Sequence, residues 1–362
     1  MDMHAPQDAV QAPAALDMAI RALTTATPAV DTHHAIDVAA TSYGWQAQAS
    51  LLTGERDRNF LLRMDDHAPV TLKFVSAAET LAETDIQVRV LEHLQARGCP
   101  VPVPLVCPTQ QGADWLLHDT EQGPVRCRAY TYLEGLPAVQ APVGPALRTQ
   151  VGEVVAQMVR SLQGFAHPAL ERIFLWDVVH VAQLMPLTPC VAPVALRAAI
   201  DGFLAHFQRE VTPRLASLPR QAIHGDLSKS NLLVDPAQPS RIAGVLDFGD
   251  VVAAPAVAEL AVAASYHMND APDPLQALQD VVDGYLRYQP LGVVGHSILL
   301  DLVMARLVQR IVITEWRASR FPENRTYILR SNPDARQLLL RLLPIWSQRT
   351  GVALPESLTH DA

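Results

Sequence analysis

Residues 222–250 read AIHGDLSKSNLLVDPAQPSRIAGVLDFGD. Two apolar pieces, LLVD (232–235) and IAGVLDF (242–248), flank the turn-forming DPAQPSR (235–241), so the stretch predicts a β-hairpin. Polar chemistry borders each piece: His-Gly-Asp (224–226) before the first and Asp-Phe-Gly (247–249) after the second. A hairpin carries both borders to one end and is expected to gather Asp226, Asn231 and Asp247. Two carboxylates and a carboxamide form an all-oxygen donor set, which suits Mg²⁺ and not Zn²⁺. A Mg²⁺-bound triphosphate asks for few protein ligands, because phosphate and water oxygens complete the octahedron. One carboxylate is then left to take a proton from an attacking hydroxyl. Either fragment alone reads equally well as ordinary turn residues; their order and spacing together do not.

The segment HGDLSKSN (224–231) matches the HxDxxxxN catalytic loop, and DFGD (247–250) resembles the metal-binding DFG segment of kinase-fold enzymes. Glycine after the histidine, in place of arginine, makes the chain similar to the aminoglycoside phosphotransferase/choline kinase branch. The resemblance spans about residues 20–350. It implies Asp226 as catalytic base, Asn231 and Asp247 as Mg²⁺ ligands, and His224 as a support of the loop. Lys229 either reaches the γ-phosphate or is solvated.

The same resemblance implies a strand lysine that holds the α- and β-phosphates. Lys73 in VTLKFV (70–75) is a charge inside an apolar strand and resembles it. TGERDRNF (53–60) occupies the place of the phosphate-covering loop, with Gly54 as its one glycine. Backbone cradling is correspondingly thin, so Arg56, Arg58 or Asn59 either adds donors there or is a solvated turn residue. The lysine's usual partner is a glutamate on the following helix; Gln87 stands there, with Asp85 and Glu83 nearby. Residues 128–135, RAYTYLEG, resemble the hinge whose backbone binds a purine edge, which puts Thr131 and Leu133 against the nucleotide. Backbone recognition leaves ATP and GTP equally open.

Outward from these motifs the texture differs on the two sides. Strand-like runs QASLLTG (48–54), NFLLRM (59–64), VTLKFV, PVPVPLV (100–106), WLLHD (115–119) and VRCRAYTYL (125–133) surround one helical pattern at 80–98. Beyond Gly135, helical patterns dominate at 147–162, 195–210, 274–288, 297–319 and 335–347. The expected fold class is α+β, a bilobal protein-kinase-like fold. Its parts are a mobile N-terminus (1–15), a β-rich N-lobe (16–134) that opens with a helical pattern at 15–23, and a larger, mostly helical C-lobe (135–362).

Of the 362 residues, 49% are hydrophobic and 18% charged, which argues for packed cores. The net charge is −9 and no Lys/Arg block is dense enough for a nucleic-acid footprint. Four cysteines (99, 107, 127, 190) without metal or disulfide spacing suit a reducing compartment. Neither a signal peptide nor a membrane span is legible, since Glu259 interrupts the most apolar run, so a cytoplasmic protein is expected. A homodimer is left open.

Within the branch, GERDRNFLL (54–62), Glu259–Ala261 after the DFGD, and PENRTYIL (322–329) look most like the hydroxylysine kinase branch. That implies an amine-bearing alcohol as phosphoryl acceptor, its ammonium met by Asp250, Tyr266, Glu315 or Trp316. Arg306 and Arg325 are candidates for a substrate carboxylate. The bland readings are a helix anchor for Glu259 and a core residue for Trp316. Aminoglycoside, homoserine, choline and ethanolamine are the alternative acceptors. A nucleotide-binding pseudokinase is the rival of a different class, and the presence of Lys73, Asp226, Asn231 and Asp247 speaks against it.

Overall fold

The computed structural model describes residues 25–54 and 56–358. The sequence-expected mobile segment 1–15 and the helical pattern at 15–23 lie outside them. Two compact units emerge. One holds the described residues up to Glu134 with His167–Ala169 and Gly244–Gly249; the other holds Gly135–Ala166, Leu170–Ala243 and the described residues from Asp250.

The first unit is an antiparallel sheet ordered β1 (Gln48–Leu52), β2 (Arg58–Arg63), β3 (Val70–Phe74), β6 (Gly123–Thr131), β4 (Val106–Cys107), with β5 (Leu116–Thr120) also on β6. Along β3, Val70, Leu72 and Phe74 are buried while Thr71 and Lys73 alternate to the other face, as a two-residue period requires. Lys73 thereby sits in register between Asn59 of β2 and Arg128 of β6. The apolar face packs Phe60, Leu62, Leu72, Phe74 and Ala129 on helix α1 (Thr32–Val38). Helix α2 (Leu81–Ala96) opens with a reciprocal capping box between Thr80 and Glu83 and buries Ile86, Val90, Leu91 and Leu94. The strand expected at 100–106 shrinks to β4, because its alternating prolines cannot donate to a ladder.

The second unit is helical, with two small sheets: β10 (Gln238–Val245), β9 (Leu232–Asp235) and β7 (Leu136–Pro137) in one, β11 (Val252–Pro255) and β8 (Arg220–Ile223) in the other. The expected β9–β10 hairpin forms with a tighter turn than DPAQPSR suggests. Asp235 accepts the amide of Ala237 at 2.8 Å, and β10 starts at Gln238. Five expected helices appear as α3 (Pro145–Ser161), α4 (Val194–His206), α6 (Pro274–Leu286), α7 (Gly292–Arg320) and α8 (Asn332–Thr350). Helix α5 (Ala256–His267) was not foreseen; its Ala/Val run buries all round against neighbours and shows no amphipathic period. Helices α3 and α6 touch at two glycines. A Cβ on Gly152 would stand 1.9 Å from the Val281 carbonyl oxygen, and one on Gly284 1.9 Å from that of Thr149. Among the described residues no helix is long and apolar enough to cross a membrane.

Candidate active site

In the first unit the side chains that face away from the sheet core form a charged cluster. Lys73 Nζ lies 2.8 Å from Asp57 Oδ2. The other Asp57 oxygen accepts the Ser76 amide at 2.8 Å. Burial works to raise the Asp57 carboxyl, but the Lys73 charge and both hydrogen bonds hold it below the usual carboxylate range. Burial likewise opposes the Lys73 charge, and Asp57 with Asp247 outweighs it, so the ammonium is held more firmly than usual. This is a correction: Lys73 is partnered by Asp57 of the loop and by none of Gln87, Asp85 and Glu83. Gln87 instead accepts Arg128 Nη2 at 2.7 Å and donates to the Glu83 carbonyl, while Asp85 faces Arg89 and His167. Arg128, fully buried, also pairs with Glu79 at 2.7 Å.

Asp247 adopts φ +60°, a left-handed conformation rare outside glycine, and its Oδ1 accepts the Gly249 amide at 3.2 Å. Crowding by protein raises its carboxyl, but the charges of Lys73 and Arg56 prevail and keep it ionised below the usual range. Gly54 is required where it stands: a Cβ there would meet the Asp57 carbonyl at 2.6 Å and the Asn59 amide at 2.9 Å. The Thr131 amide donates to the Leu105 carbonyl and its hydroxyl oxygen accepts the Leu105 amide, both at 2.9 Å, so the Thr131 amide is already taken. Among the described residues the Leu133 amide has no such partner.

In the second unit β8 delivers the loop His224–Asn231. His224 is buried, and its Nδ1 accepts the Asp226 amide at 3.3 Å. Gly225 sits at φ +82°, where a Cβ would lie 2.5 Å from the Asp250 carbonyl. That close approach explains why glycine stands at this position. The Gly225 amide donates to the fully buried Glu259 at 3.0 Å, so the first turn of α5 anchors the loop from beneath. Burial pushes the Glu259 carboxyl up.

Asp226 is held from both sides. Asn231 Nδ2 donates to its Oδ2 at 2.8 Å and to its main-chain carbonyl at 2.9 Å. Arg306 Nη2 donates to Oδ1 at 2.5 Å, with Tyr266 Oη at 3.5 Å from the same oxygen. Arg306 is itself fixed on the Trp176 carbonyl and above the Trp176 and Tyr266 rings. The carboxylate keeps 22% of its surface accessible while Arg306 keeps 2%. A carboxylate locked in orientation and open on one side is set up to accept a proton. Both hydrogen bonds of the Asn231 side-chain nitrogen go to Asp226, which leaves its amide oxygen as the group's remaining hydrogen-bonding atom.

The phosphotransferase enzyme family matches residues 49–291. The chain belongs to that family. Hydroxylysine kinase of Danio rerio is 28% identical over 319 residues, 84% of this chain and 89% of the relative; that of Mus musculus is 26% identical over 77% and 80%. Among solved structures, a microcompartment-associated aminopropanol kinase superposes with TM-score 0.70 at 21% identity, covering 90% of this chain and all of that one. An amicoumacin kinase in complex with AMP-PNP, Ca²⁺ and Ami gives 0.63 at 16% identity, covering 89% and 94%. The kinase-like α+β fold expected from the motifs is thus the fold observed, and the phosphotransferase is a small-molecule alcohol kinase.

The remaining sequence candidates divide. Tyr266 stands at Asp226 as described, and the Asp250 charge acts on Arg306. Glu315 is not free to meet an ammonium: it pairs with Arg336 at 2.6 Å and with Arg325 at 3.5 Å. Trp316 is 4% exposed and packs as core in α7. Arg306 and Arg325, read as carboxylate binders, already hold Asp226 and Glu315. Lys229 pairs with Asp270 at 2.7 Å and is not simply solvated. Asp57, Arg128 and Glu79 went unnoticed in the sequence. The signal for Asp57 was its place beside Lys73 on the hairpin mouth, two residues before the strand position that faces the lysine.

Proposed function

We propose that this phosphotransferase moves the γ-phosphoryl group of ATP or GTP onto the hydroxyl of a small amine-bearing alcohol, with hydroxylysine the first candidate. The observation that carries the reading is Asp226, clamped by Asn231 and Arg306 yet open to an acceptor. The substrate oxygen bonds to the γ-phosphorus as the bond to the β-bridging oxygen breaks, and the hydroxyl proton passes to Asp226. Lys73, steadied by Asp57, receives the α- and β-phosphates, with Gly54, Arg56 and Asn59 at the covering hairpin. Leu133 offers its backbone to the base. Asn231 and Asp247 are the residues that would hold Mg²⁺, which neutralises phosphate charge when bound; one hard amide oxygen and one firmly ionised carboxylate fit that ion. Tyr266 and Asp250 face the acceptor's ammonium. Cytoplasmic residence, where both nucleotides are present, belongs to the same reading, and a homodimer stays compatible with it.

The test is a phosphate-acceptor screen with Mg-ATP and Mg-GTP over hydroxylysine, homoserine, 1-aminopropan-2-ol, choline, ethanolamine and an aminoglycoside. Turnover of an amino alcohol or hydroxy amino acid is expected, and Asp226→Asn should lower kcat by about 10²–10⁴ while nucleotide still binds. Turnover of the aminoglycoside alone overturns the acceptor class. Nucleotide binding without turnover of any acceptor favours the pseudokinase.

A further inference from the structure

Four residues beyond Arg306 on α7 stands Arg310, 7% exposed. Among the described residues no carboxylate lies within ion-pair distance of it; the one hydrogen bond of its guanidinium runs from Nη2 to the Ser331 carbonyl at 3.1 Å. Its guanidinium stacks on Tyr266, 4.5 Å from the ring centroid, and the hydroxyl of that ring lies 3.5 Å from Asp226. The charges that reach it are Arg306 on its own helix, Asp334 on α8, and Asp226. Burial and the like charge of Arg306 both act against its proton. Neither Nε nor Nη1 is among the sealed, unsatisfied atoms of the described residues, so a ligand can still reach them.

A buried cation without a counter-charge costs several kcal/mol, and charged groups perturbed in this way cluster at functional sites. Of the two arginines one turn apart, only Arg306 is ion-paired, to Asp226, which leaves the Arg310 guanidinium able to take an anion. Arginine's planar fork matches a carboxylate in particular. We infer that Arg310 binds the carboxylate of the phosphoryl acceptor, so that the enzyme takes hydroxy amino acids in preference to the corresponding decarboxylated amino alcohols. Tyr266 then lies between the two ends of the acceptor, with the reacting hydroxyl at Asp226 and the carboxylate at Arg310. This inference rests on the kinase reading above and narrows its substrate class.

The experiment compares acceptors that differ only in the carboxylate: homoserine with 3-aminopropan-1-ol, threonine with 1-aminopropan-2-ol, and 5-hydroxylysine with 1,5-diaminopentan-2-ol. The wild-type enzyme should favour the carboxylate-bearing member of whichever pair it turns over by about 10–100-fold in kcat/KM, the worth of a charge-assisted hydrogen bond. Arg310→Met should close that gap by losing the preferred member, chiefly through KM. Calorimetric binding of the same acceptors without nucleotide should show the same loss. Wild-type indifference to the carboxylate, or an equal loss on both members of a pair in Arg310→Met, overturns the inference; the second result would assign Arg310 to the transferring phosphoryl. Should Arg310→Met fail to fold, the wild-type pairs and Arg310→Lys decide alone. Absence of turnover with every acceptor sinks the kinase reading itself, a separate outcome.

Discussion

Lys73 and Asp57 are each other's counter-charge: Nζ to Oδ2 is 2.8 Å, with side-chain exposures of 14% and 17%. The pair joins the third strand to the hairpin mouth that precedes β2, so one carboxylate both holds the strand lysine and ties down the hairpin mouth. The sequence alone points to Gln87 or a nearby carboxylate of the following helix as the lysine's partner.

Removal of Asp57 should therefore act on stability and on nucleotide together. Asp57→Asn is expected to cost about 3 kcal/mol, since it strands a mostly buried ammonium, and to raise the nucleotide KM about tenfold or more. Its pH dependence has a definite sign. The folded carboxyl is held below its ordinary value, so its contribution is present above about pH 4 and fades as pH falls further. Chemical denaturation of both proteins should give a constant difference at pH 6–8 that shrinks below pH 4. A difference that grows on acidification would contradict the pair.

Gln87 should behave otherwise. It accepts from buried Arg128 at 2.7 Å and has no contact with Lys73. Gln87→Leu should cost roughly 1–3 kcal/mol, the worth of a lost acceptor to a buried charged donor, and leave the nucleotide KM close to wild type. Lys73→Ala should lose both stability and nucleotide affinity, since it strands the mostly buried Asp57 carboxylate. A large KM effect from Gln87→Leu would restore it to the lysine.

Glu259 gives a titration of opposite sign. Burial raises its carboxyl, so between the ordinary glutamate value near pH 4 and its raised value the folded state binds more protons than the unfolded one. Its stability contribution is greatest at low pH and declines as pH rises through that interval, by at most about 1.4 kcal/mol per pH unit. Glu259→Gln keeps an acceptor for the Gly225 amide and should remove that slope. Parallel stability–pH curves for the two proteins would show the carboxyl to be ordinary.

Much of the site was legible because phosphoryl transfer constrains residue type at short spacing. HGDLSKSN fixes Asp226 and Asn231 five residues apart, and the structure joins them by two hydrogen bonds. The charged cluster around Lys73 was illegible for the opposite reason. Asp57, Glu79, Gln87 and Arg128 come from a loop, a turn, a helix and a strand, and only sheet register makes them neighbours. Arg310 was missed as well, since periodicity marks α7 as a core helix and cannot say which of its arginines has no carboxylate beside it. Helix α5 escaped for want of amphipathicity: nearly every residue is buried, so no polar face marks the period.

The scaffold beneath the site depends on the contact of α3 with α6. At Gly152 and Gly284 the two backbones come close enough that a methyl group on either would overlap a carbonyl of the other helix at 1.9 Å. Backbone cannot rotate aside as a side chain does, so relief requires the helices to separate. Separation would open the flanking core contacts, among them Val151, Val155, Val281 and Tyr285. The intrinsic helix propensity of alanine exceeds that of glycine by about 1 kcal/mol, so a helix in isolation would gain from Gly152→Ala. Overpacking in the assembled unit should exceed that gain and leave a net loss of about 2 kcal/mol or more. Gly284→Ala should match it, and the double substitution should lose less than the sum, because once the helices have parted the second methyl finds space. Thermal or denaturant midpoints of the three variants measure this, and a stabilised Gly152→Ala would show that the helices are not in backbone contact.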